Sequence, residues 1–461
     1  MDLKEKIHSE KKYNEEKTRV LYQFRELKLN KDVTLKSKYS THFVRRRVKK
    51  NILNLLSLKH ILDVNTKEKY VEAEGLATFS DILEATVKKG FMPAVVPDFR
   101  SITIGGAISG LGIEATSFKY GMVHENILDV EVLTGTGEIL EASEKKNPDL
   151  FVTLVNSLGT LGYILKCKMK IVPVKKYVRV RLFYFSDLKR FFDFVSIKEE
   201  KTDFLDGIIF GPEKQIVMSG HFTDVIENGE KIFDIYRSSW SKYLEKTDDT
   251  EIYFFLEDYI WRWDADVFWG TKELGPIGNL FNNAFLRRTL LKPLLRSDRL
   301  LKIHHLLAYN HSLPNFFTFV FGRKEQLIQD VGIDFDKCVP FLDWYNDRIS
   351  EYPVWICPTR RIHPRSHYPL FLWHGNEVND IGFYAYKELK KSMAGNYYNK
   401  LLERELKKHG GVKGLYSSSL FSRDEFWKMY DHKRYLGTKE KYDPDNVFPD
   451  LYEKVAGKVT K

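Results

Sequence analysis

Apolar and polar positions in the first third of the chain follow the short periods of strands and helices. Residues 59–64 and 70–74 each have the short apolar pattern of a strand, and the polar residues 65–68 between them predict a turn that pairs the two strands. Residues 78–89 place apolar side chains at helical spacing, and Gly90 is typical of a helix end. The pattern therefore predicts a strand, a turn, a strand and a helix in succession.

The same succession of predicted short strands and helices continues as far as Pro173. Alternation over 129–133, with a return at 138–141, predicts a hairpin. Asn147 is a typical N-cap for a short helix, and a further strand is predicted to end at Pro173. Short strands mixed with short helices predict an α+β domain.

Beyond about residue 176 the strands become less regular and the aromatic residues denser, which predicts a second domain with its own sheet. Ahead of the first domain, residues 1–35 are predicted to form a charged helix and a connector. A length of 461 residues agrees with two or three domains.

Charge narrows the possible partners. The chain carries 73 Lys and Arg against 63 Asp and Glu, so its formal net charge is +10. A basic surface attracts nucleic acid, an anionic membrane or a phosphorylated cofactor. The sequence contains no nucleic-acid recognition motif and no zinc-finger spacing, so we expect no nucleic-acid partner.

The cysteines and the chain's hydropathy bear on its location. Cys167, Cys338 and Cys357 are odd in number and widely spaced, which predicts neither a disulfide framework nor a metal knuckle and favours a reducing compartment. The charged N-terminus has no apolar core like that of a signal peptide, and no apolar run is long enough to predict a spanning helix. We expect a protein on the cytoplasmic side, soluble or peripherally attached to a membrane.

The segment 102–114 is the first candidate for chemistry. It contains Gly105, Gly106, Gly110 and Gly112, which allow the backbone to come very close to a ligand. Successive free N–H groups at a helix start suit a pyrophosphate. The segment matches neither a dinucleotide fingerprint nor a P-loop, so close helix packing is an equal alternative.

Two later segments place further small and polar residues in loops. Residues 117–121 offer a hydroxyl, a cation and an aromatic ring that could hold a phosphate and a ring system. Residues 156–164 contain two glycines that flank Thr-Leu ahead of a strand, which can bring the backbone beside a cofactor. Each segment alone is equally typical of an ordinary loop or turn.

Further motifs accompany these segments, in order, through both halves of the chain. In the first half they are Leu128-Asp129-Val130-Glu131-Val132, Asn147-Pro148-Asp149-Leu150-Phe151, Gly159-Thr160-Leu161-Gly162 and residues 171–178. In the second half they are residues 352–358 (YPVWICP), Asp380-Ile381-Gly382, Leu415-Tyr416 and residues 422–427 (SRDEFW). Together with residues 97–121 they resemble the 24-dehydrosterol reductases, which are diminuto-like members of the vanillyl-alcohol-oxidase (PCMH) flavoproteins.

The resemblance implies a domain plan and a non-covalently bound FAD. Residues 36–176 would form a PCMH-type FAD-binding domain, 177–430 an α+β substrate-binding cap, and 431–461 a segment that returns to the FAD domain. The implied cofactor-binding residues are Thr103, Ile104, Gly105, Gly106, Ala107, Ser109, Gly110, Gly112, Ile113, Glu114, Ser117, Lys119, Tyr120, Gly121, Gly159 and Thr160.

Candidate catalytic residues lie in the cap. Tyr416 is a candidate proton donor to a carbon centre, with structural hydrogen bonding as the alternative. Arg262 and Asp264 lie among three Trp residues, where they would position the nicotinamide or substrate or form a buried ion pair. His42 is a weaker candidate for flavin attachment. The histidines lack metal-ligand spacing, so we expect no metal.

The substrate prediction is broader than the family name. The animal reductases carry an N-terminal membrane helix, which this chain lacks, and residues 259–269 look more like bacterial relatives that include reductases of methylene-branched fatty acyl chains. We therefore hypothesise reduction of a lipid carbon–carbon double bond with NAD(P)H through FAD. The alternatives are an FAD-dependent alcohol oxidase or dehydrogenase, and a non-catalytic flavin-binding or scaffold protein.

One segment suggests a membrane contact. Residues 285–305 mix leucines with Arg and Lys, and Pro293 divides them into two short helices. Such a segment could lie on an anionic membrane surface, or it could be a basic helix packed on the domain.

Overall fold

Two antiparallel sheets organise the chain, one within residues 61–173, a part that we call the first domain, and the other within residues 177–413, a part that we call the cap. The computed structural model describes residues 8–36, 51–197, 202–227, 230–266, 268–269, 283–300, 324–363, 367–372, 375–390 and 392–456. His42 and residues 301–305 lie outside these ranges.

The first sheet confirms the strands predicted before Pro173. Its strands run in the order Ile61–Asn65, Tyr70–Glu74, Gly162–Pro173, Ile127–Thr134 and Ile139–Ser143, with Phe91–Pro93 paired to Gly162–Pro173. The predicted helix is Phe79–Val87, capped by the Thr78 side chain, and Gly90 follows it at a φ of 79°. The other helices of this part are Ile104–Gly110, Ser117–Tyr120 and Pro148–Thr153.

The second sheet has eight strands, in the order Glu251–Phe255, Tyr177–Phe185, Lys214–Thr223, Phe204–Gly211, Val354–Arg360, Glu377–Glu388, Lys324–Ile333 and Val412–Lys413. One face packs against the helices Leu188–Ile197, Phe335–Arg348 and Tyr397–Lys408. Two sheets with segregated helices make this an α+β protein, as predicted.

Shorter elements complete the description. A parallel pair joins Thr34–Lys36 to Ile52–Asn54. Short helices span Trp240–Lys246, Leu256–Ile260, Asp264–Asp266, Ala284–Arg288, Lys292–Leu294, Arg423–Trp427 and Leu451–Val455, and a 3-10 turn covers Val123–Asn126.

None of the helices in the described ranges is both long and apolar enough to cross a bilayer.

The helix Glu10–Lys28 and the segment that follows the helix His432–Tyr442 both pack on the first domain. The charged lead-in forms the helix Glu10–Lys28, whose Tyr13, Val20 and Phe24 are buried. The helix His432–Tyr442 returns from the cap, and the Phe448 ring beyond it packs 5.8 Å from the Phe24 ring. Residues of the helix Glu10–Lys28 and of the segment after Tyr442 therefore share one apolar cluster.

Asp443 fixes the returning segment. Its carboxylate accepts hydrogen bonds from Val447 N–H at 2.7 Å, Phe448 N–H at 3.0 Å and Lys439 Nζ at 2.6 Å. Lys439 Nζ also donates to Thr160 O, at 2.8 Å. Asp443 is fully buried, so this carboxylate ties the C-terminal segment to the first domain.

The Asp443→Ala substitution should destabilise the protein by about 3–5 kcal/mol, because it leaves the buried Lys439 ammonium and two amides without their acceptor. The free energy of unfolding in urea measures this. The matched control is Lys441→Ala, which removes an exposed ion pair to Asp149 and should cost about 1 kcal/mol or less. Equal losses for the two variants would contradict the assigned role of Asp443.

Candidate active site

A cavity of about 380 Å³ lies between the glycine-rich segment and the second sheet. A volume of this size falls within the range of small-molecule sites. Its first-domain wall includes Gly75, Leu76, residues 97–99, 101–103, 105–107 and 109–113, Leu158 and residues 162–164. Its cap wall includes Phe268, Trp269, Ile328, Asp330, Trp355, residues 382–384 and Tyr416.

The glycine-rich segment meets the cavity as the short helix Ile104–Gly110. The first amides of this helix already donate to protein oxygens: Ile104 N–H to Ala77 O and Gly105 N–H to Gly75 O, each at 2.9 Å. Successive free N–H groups were expected here for a pyrophosphate. The structure differs because the turn between the strand Tyr70–Glu74 and the helix Phe79–Val87 supplies the acceptors.

Close packing explains two of the glycines. A Cβ atom on Gly105 would lie 2.8 Å from Gly75 O, and one on Gly112 would lie 2.7 Å from the Val123 side chain. Both glycines also line the cavity. The packing and ligand-approach alternatives therefore apply to the same residues, because one side of this backbone touches protein and the other faces the open volume.

The predicted cofactor residues fall into two groups. Those on the cavity wall are Thr103, Gly105, Gly106, Ala107, Ser109, Gly110, Gly112 and Ile113. Those that the described wall does not include are Ile104, Glu114, Ser117, Lys119, Tyr120, Gly121, Gly159 and Thr160. Their cofactor roles remain predictions.

The second group makes specific contacts elsewhere. Lys119 Nζ pairs with Asp203 at 2.9 Å, and Thr160 Oγ1 accepts a hydrogen bond from Tyr435 Oη at 3.0 Å. Ser117 Oγ accepts from Glu114 N–H at 3.1 Å. These contacts link loops of the first domain to the cap and to the returning C-terminal helix.

FAD fits the residues on the first-domain wall. Glycine, alanine and serine leave the backbone open to a flat ring system. Lys454, whose ammonium donates to Leu158 O, adds a cation at the wall for a diphosphate.

The cap wall is aromatic, with acidic and phenolic groups set into it. Phe268, Trp269 and Trp355 face the volume, and the Phe268 and Trp355 rings lie 5.7 Å apart. Asp330 and Tyr416 lie on the same wall and are hydrogen-bonded to each other. Tyr416 was predicted as a candidate proton donor, and the structure brings it to the cavity.

Burial dominates the electrostatics of this acidic group. Desolvation raises the pKa of Asp330 to about 7, and the hydrogen bond with Tyr416 opposes the rise. Burial and the nearby Asp330 charge raise the pKa of Asp380 well above its usual range. Burial also raises the pKa of the Tyr416 phenol, and the two carboxyl groups raise it further.

Arg262 and Asp264 lie behind the described cavity wall and within ion-pair networks. Arg262 Nη2 donates to Glu114 Oε1 at 2.7 Å and to Asp206 Oδ2 at 2.8 Å. Asp264 pairs with Arg100 Nε at 3.2 Å. These contacts match the buried ion-pair alternative, and catalytic roles for the two residues remain predictions.

A cluster of His8, His60 and Glu74 lies behind the glycine-rich wall. Each imidazole Nδ1 contacts a different Glu74 oxygen, at 3.1 Å and 3.0 Å. The two rings stack with centroids 3.4 Å apart, whereas imidazoles sharing one metal ion diverge from it. The arrangement is that of hydrogen-bonded side chains.

Sequence reasoning missed Asp330, Asp380, Phe268 and Trp269 as site residues. The two aspartates meet only through strand register, which no local motif of the sequence carries.

Comparison with known proteins places the site in context. The family model described as an FAD binding domain matches residues 30–143. The delta(24)-sterol reductase of Homo sapiens is 27% identical over 428 residues, which cover 89% of this chain and 78% of that protein. The enzyme of that name from Arabidopsis thaliana is 23% identical, over 87% of this chain and 76% of that protein.

A different activity appears among the shorter matches. Cytokinin dehydrogenase 1 of Arabidopsis thaliana is 32% identical over 146 residues, 31% of this chain and 25% of that protein. The similarity to the sterol reductases thus extends through both domains, and the similarity to the dehydrogenase covers a smaller part.

The Gly105→Ala substitution should weaken FAD binding about 5- to 100-fold, because the new Cβ forces the segment away from Gly75 and into the cavity, an overpacking strain of about 1–3 kcal/mol. Titrating deflavinated protein with FAD and following flavin fluorescence measures the affinity. Gly437→Ala is the control, since no atom lies within 4 Å of its added Cβ. Unchanged affinity in Gly105→Ala would contradict this reading of the wall.

Proposed function

We propose that this protein reduces a carbon–carbon double bond of a lipid with NAD(P)H. The premise is that the chain is an FAD-dependent oxidoreductase homologous to the delta(24)-sterol reductases. The lipid is either a sterol side chain or a methylene-branched acyl chain. The cavity between the two walls carries this proposal.

The two walls suit the two reactants. The glycine-rich wall offers backbone to a flat cofactor, and the opposite wall offers Phe268, Trp269, Trp355 and Ile328 to an apolar chain. An alkene has few polar atoms to recognise, so an aromatic wall is a suitable partner. A flavin and an alkene held between these walls would lie face to face.

FAD, when bound, would supply the hydride chemistry that connects the nicotinamide with one alkene carbon. The first-domain wall, including Thr103, Gly106 and Ser109, would hold the cofactor. The aromatic wall excludes water, and Tyr416 gives a proton to the second alkene carbon.

The nicotinamide would enter the same cavity as the lipid. The sequence shows no fingerprint of a separate nicotinamide-binding domain, so both substrates would react with the flavin in turn. This arrangement gives ping-pong kinetics. Comparing the rates at which NADPH and NADH reduce the flavin measures the preference between the two nucleotides.

A lipid substrate makes the basic segment relevant. Phe285 and Leu290 are each 72% exposed, whereas Arg287 is buried and donates to Ile235 O at 2.8 Å. We propose that these exposed apolar residues touch an anionic membrane on the cytoplasmic side, while Arg287 anchors the segment to the cap.

The rival function is oxidation of an alcohol by the same flavin. The match to a cytokinin dehydrogenase, over 31% of this chain, supports a dehydrogenase as the class of rival and does not name its substrate. It requires no proton donor opposite the flavin. The two functions differ in whether NAD(P)H is the electron source.

Anaerobic mixing of the holoenzyme with NADPH or NADH should bleach the flavin. The reduced enzyme should then be reoxidised under argon by one lipid class, from a panel of a delta(24)-unsaturated sterol, a methylene-branched fatty acyl ester and a saturated control of each. Product mass should rise by two hydrogens. Flavin that neither nucleotide bleaches would reject the proposal, and bleaching by an alcohol instead would establish the rival function.

A further inference from the structure

One face of the cap sheet gathers two carboxyl groups around glycines. Asp330 pairs with Gly382 across adjacent antiparallel strands, and Gly332 pairs with Asp380. Residues two apart on a strand share a face, so all four lie on the same side. Gly382 leaves room beside Asp330, because a Cβ on it would lie 3.1 Å from Asp330 Oδ1.

Tyr416 completes this group from a neighbouring loop. Its phenol is hydrogen-bonded to Asp330, and both residues line the cavity. Each is partly exposed, and protein encloses them on their other sides. Asp380 lies deeper, at 4% exposure. The Tyr416 phenol and the Asp330 carboxyl therefore lie next to the cavity, and the Asp380 carboxyl lies behind them.

We propose that Asp330 is the acid of this site, and that it replaces the proton which Tyr416 gives to the substrate. This rests on the proposed alkene reduction. The alkene π bond breaks as one carbon gains hydride and the other gains the Tyr416 proton. The Asp330 O–H bond breaks as the phenol is restored, and water later returns one proton to the carboxylate.

Tyr416 alone is a poor proton donor in this setting. Burial and two adjacent carboxyl groups raise the pKa of its phenol, so an isolated phenolate would be strongly disfavoured. A neutral Asp330 removes this difficulty, because its pKa of about 7 lets it carry a proton at physiological pH. Efficient acids have a pKa near the working pH.

Burial favours a neutral Asp330 carboxyl by raising its pKa. Burial and the Asp330 charge raise the pKa of Asp380, and Tyr384 lines the cavity on the same strand. The nearby cation Lys413 is bound to Glu403 and donates to Ser418 O at 2.8 Å.

The Asp330→Asn variant separates the two half-reactions. Bleaching of its flavin by NAD(P)H should match wild type, whereas reoxidation by the delta(24)-unsaturated sterol or the methylene-branched ester should slow by about 10²- to 10⁴-fold. The control is Asp336→Asn, an exposed acid in the first turn of the next helix, which should keep the wild-type rate. In D₂O the wild-type product should carry solvent deuterium at the carbon that Tyr416 protonates.

Relay through Tyr416 predicts coupling between the two residues. Tyr416→Phe should slow reoxidation, and the Asp330→Asn/Tyr416→Phe double variant should be no slower than the slower single variant. Fully additive losses would show independent roles. A wild-type reoxidation rate in Asp330→Asn, with normal turnover of the parent enzyme, would overturn the inference and leave the proposed function standing.

A readout without lipid keeps the inference testable if no member of the panel reacts. Infrared spectra of the holoenzyme between pH 5 and 9 should lose a protonated-carboxyl C=O band with a midpoint near the Asp330 pKa of about 7. Asp330→Asn should lack that change, whereas Asp380→Asn should keep it, because burial is what raises the Asp330 pKa. A wild-type spectrum that shows no such change, or a change that persists in Asp330→Asn, would reject Asp330 as the proton carrier.

Discussion

One buried cation, Arg262, joins the two walls of the cavity. Its guanidinium contacts Glu114 of the first domain and Asp206 of the cap, and all three side chains are fully buried. Asp206 also accepts a hydrogen bond from Trp355 Nε1 at 3.0 Å, and Trp355 faces the cavity. A buried charge is strongly unfavourable without its partners. Separating the domains would therefore break the contact between Arg262 and Glu114 and leave Glu114 without this cation.

This constraint sets the distance across which the reaction must occur. The glycine-rich helix is pinned on its far side by Gly75 and Ala77, and the cap sheet is held by Asp206 and Arg262. Neither wall can move far without breaking buried polar contacts. Reactants placed between fixed walls gain from orientation, which is the main contribution a protein makes when the cofactor carries the chemistry.

Local patterning was enough to predict much of the fold. The strands near 61–74 and the helix that begins after Thr78 follow from alternation, helical spacing and a capping hydroxyl, all of which act over a few residues. The acidic group was not predicted, because Asp330 and Asp380 are 50 positions apart and meet only through strand register. The same holds for Arg262, whose partner Glu114 had been assigned to the cofactor from a local motif.

A water-excluding cavity poses a problem for any reaction that consumes a proton, since the wall that protects the flavin also keeps out the solvent proton source. The cap sheet resolves this conflict with one physical effect. The protein that keeps water out of the cavity also buries Asp330, and this burial raises the Asp330 pKa to about 7. The carboxyl therefore retains its proton at a pH at which an exposed aspartate would have lost it. Gly382 leaves room for that carboxyl, since a Cβ there would lie 3.1 Å from Asp330 Oδ1, which links a simple feature of strand composition to the proposed chemistry.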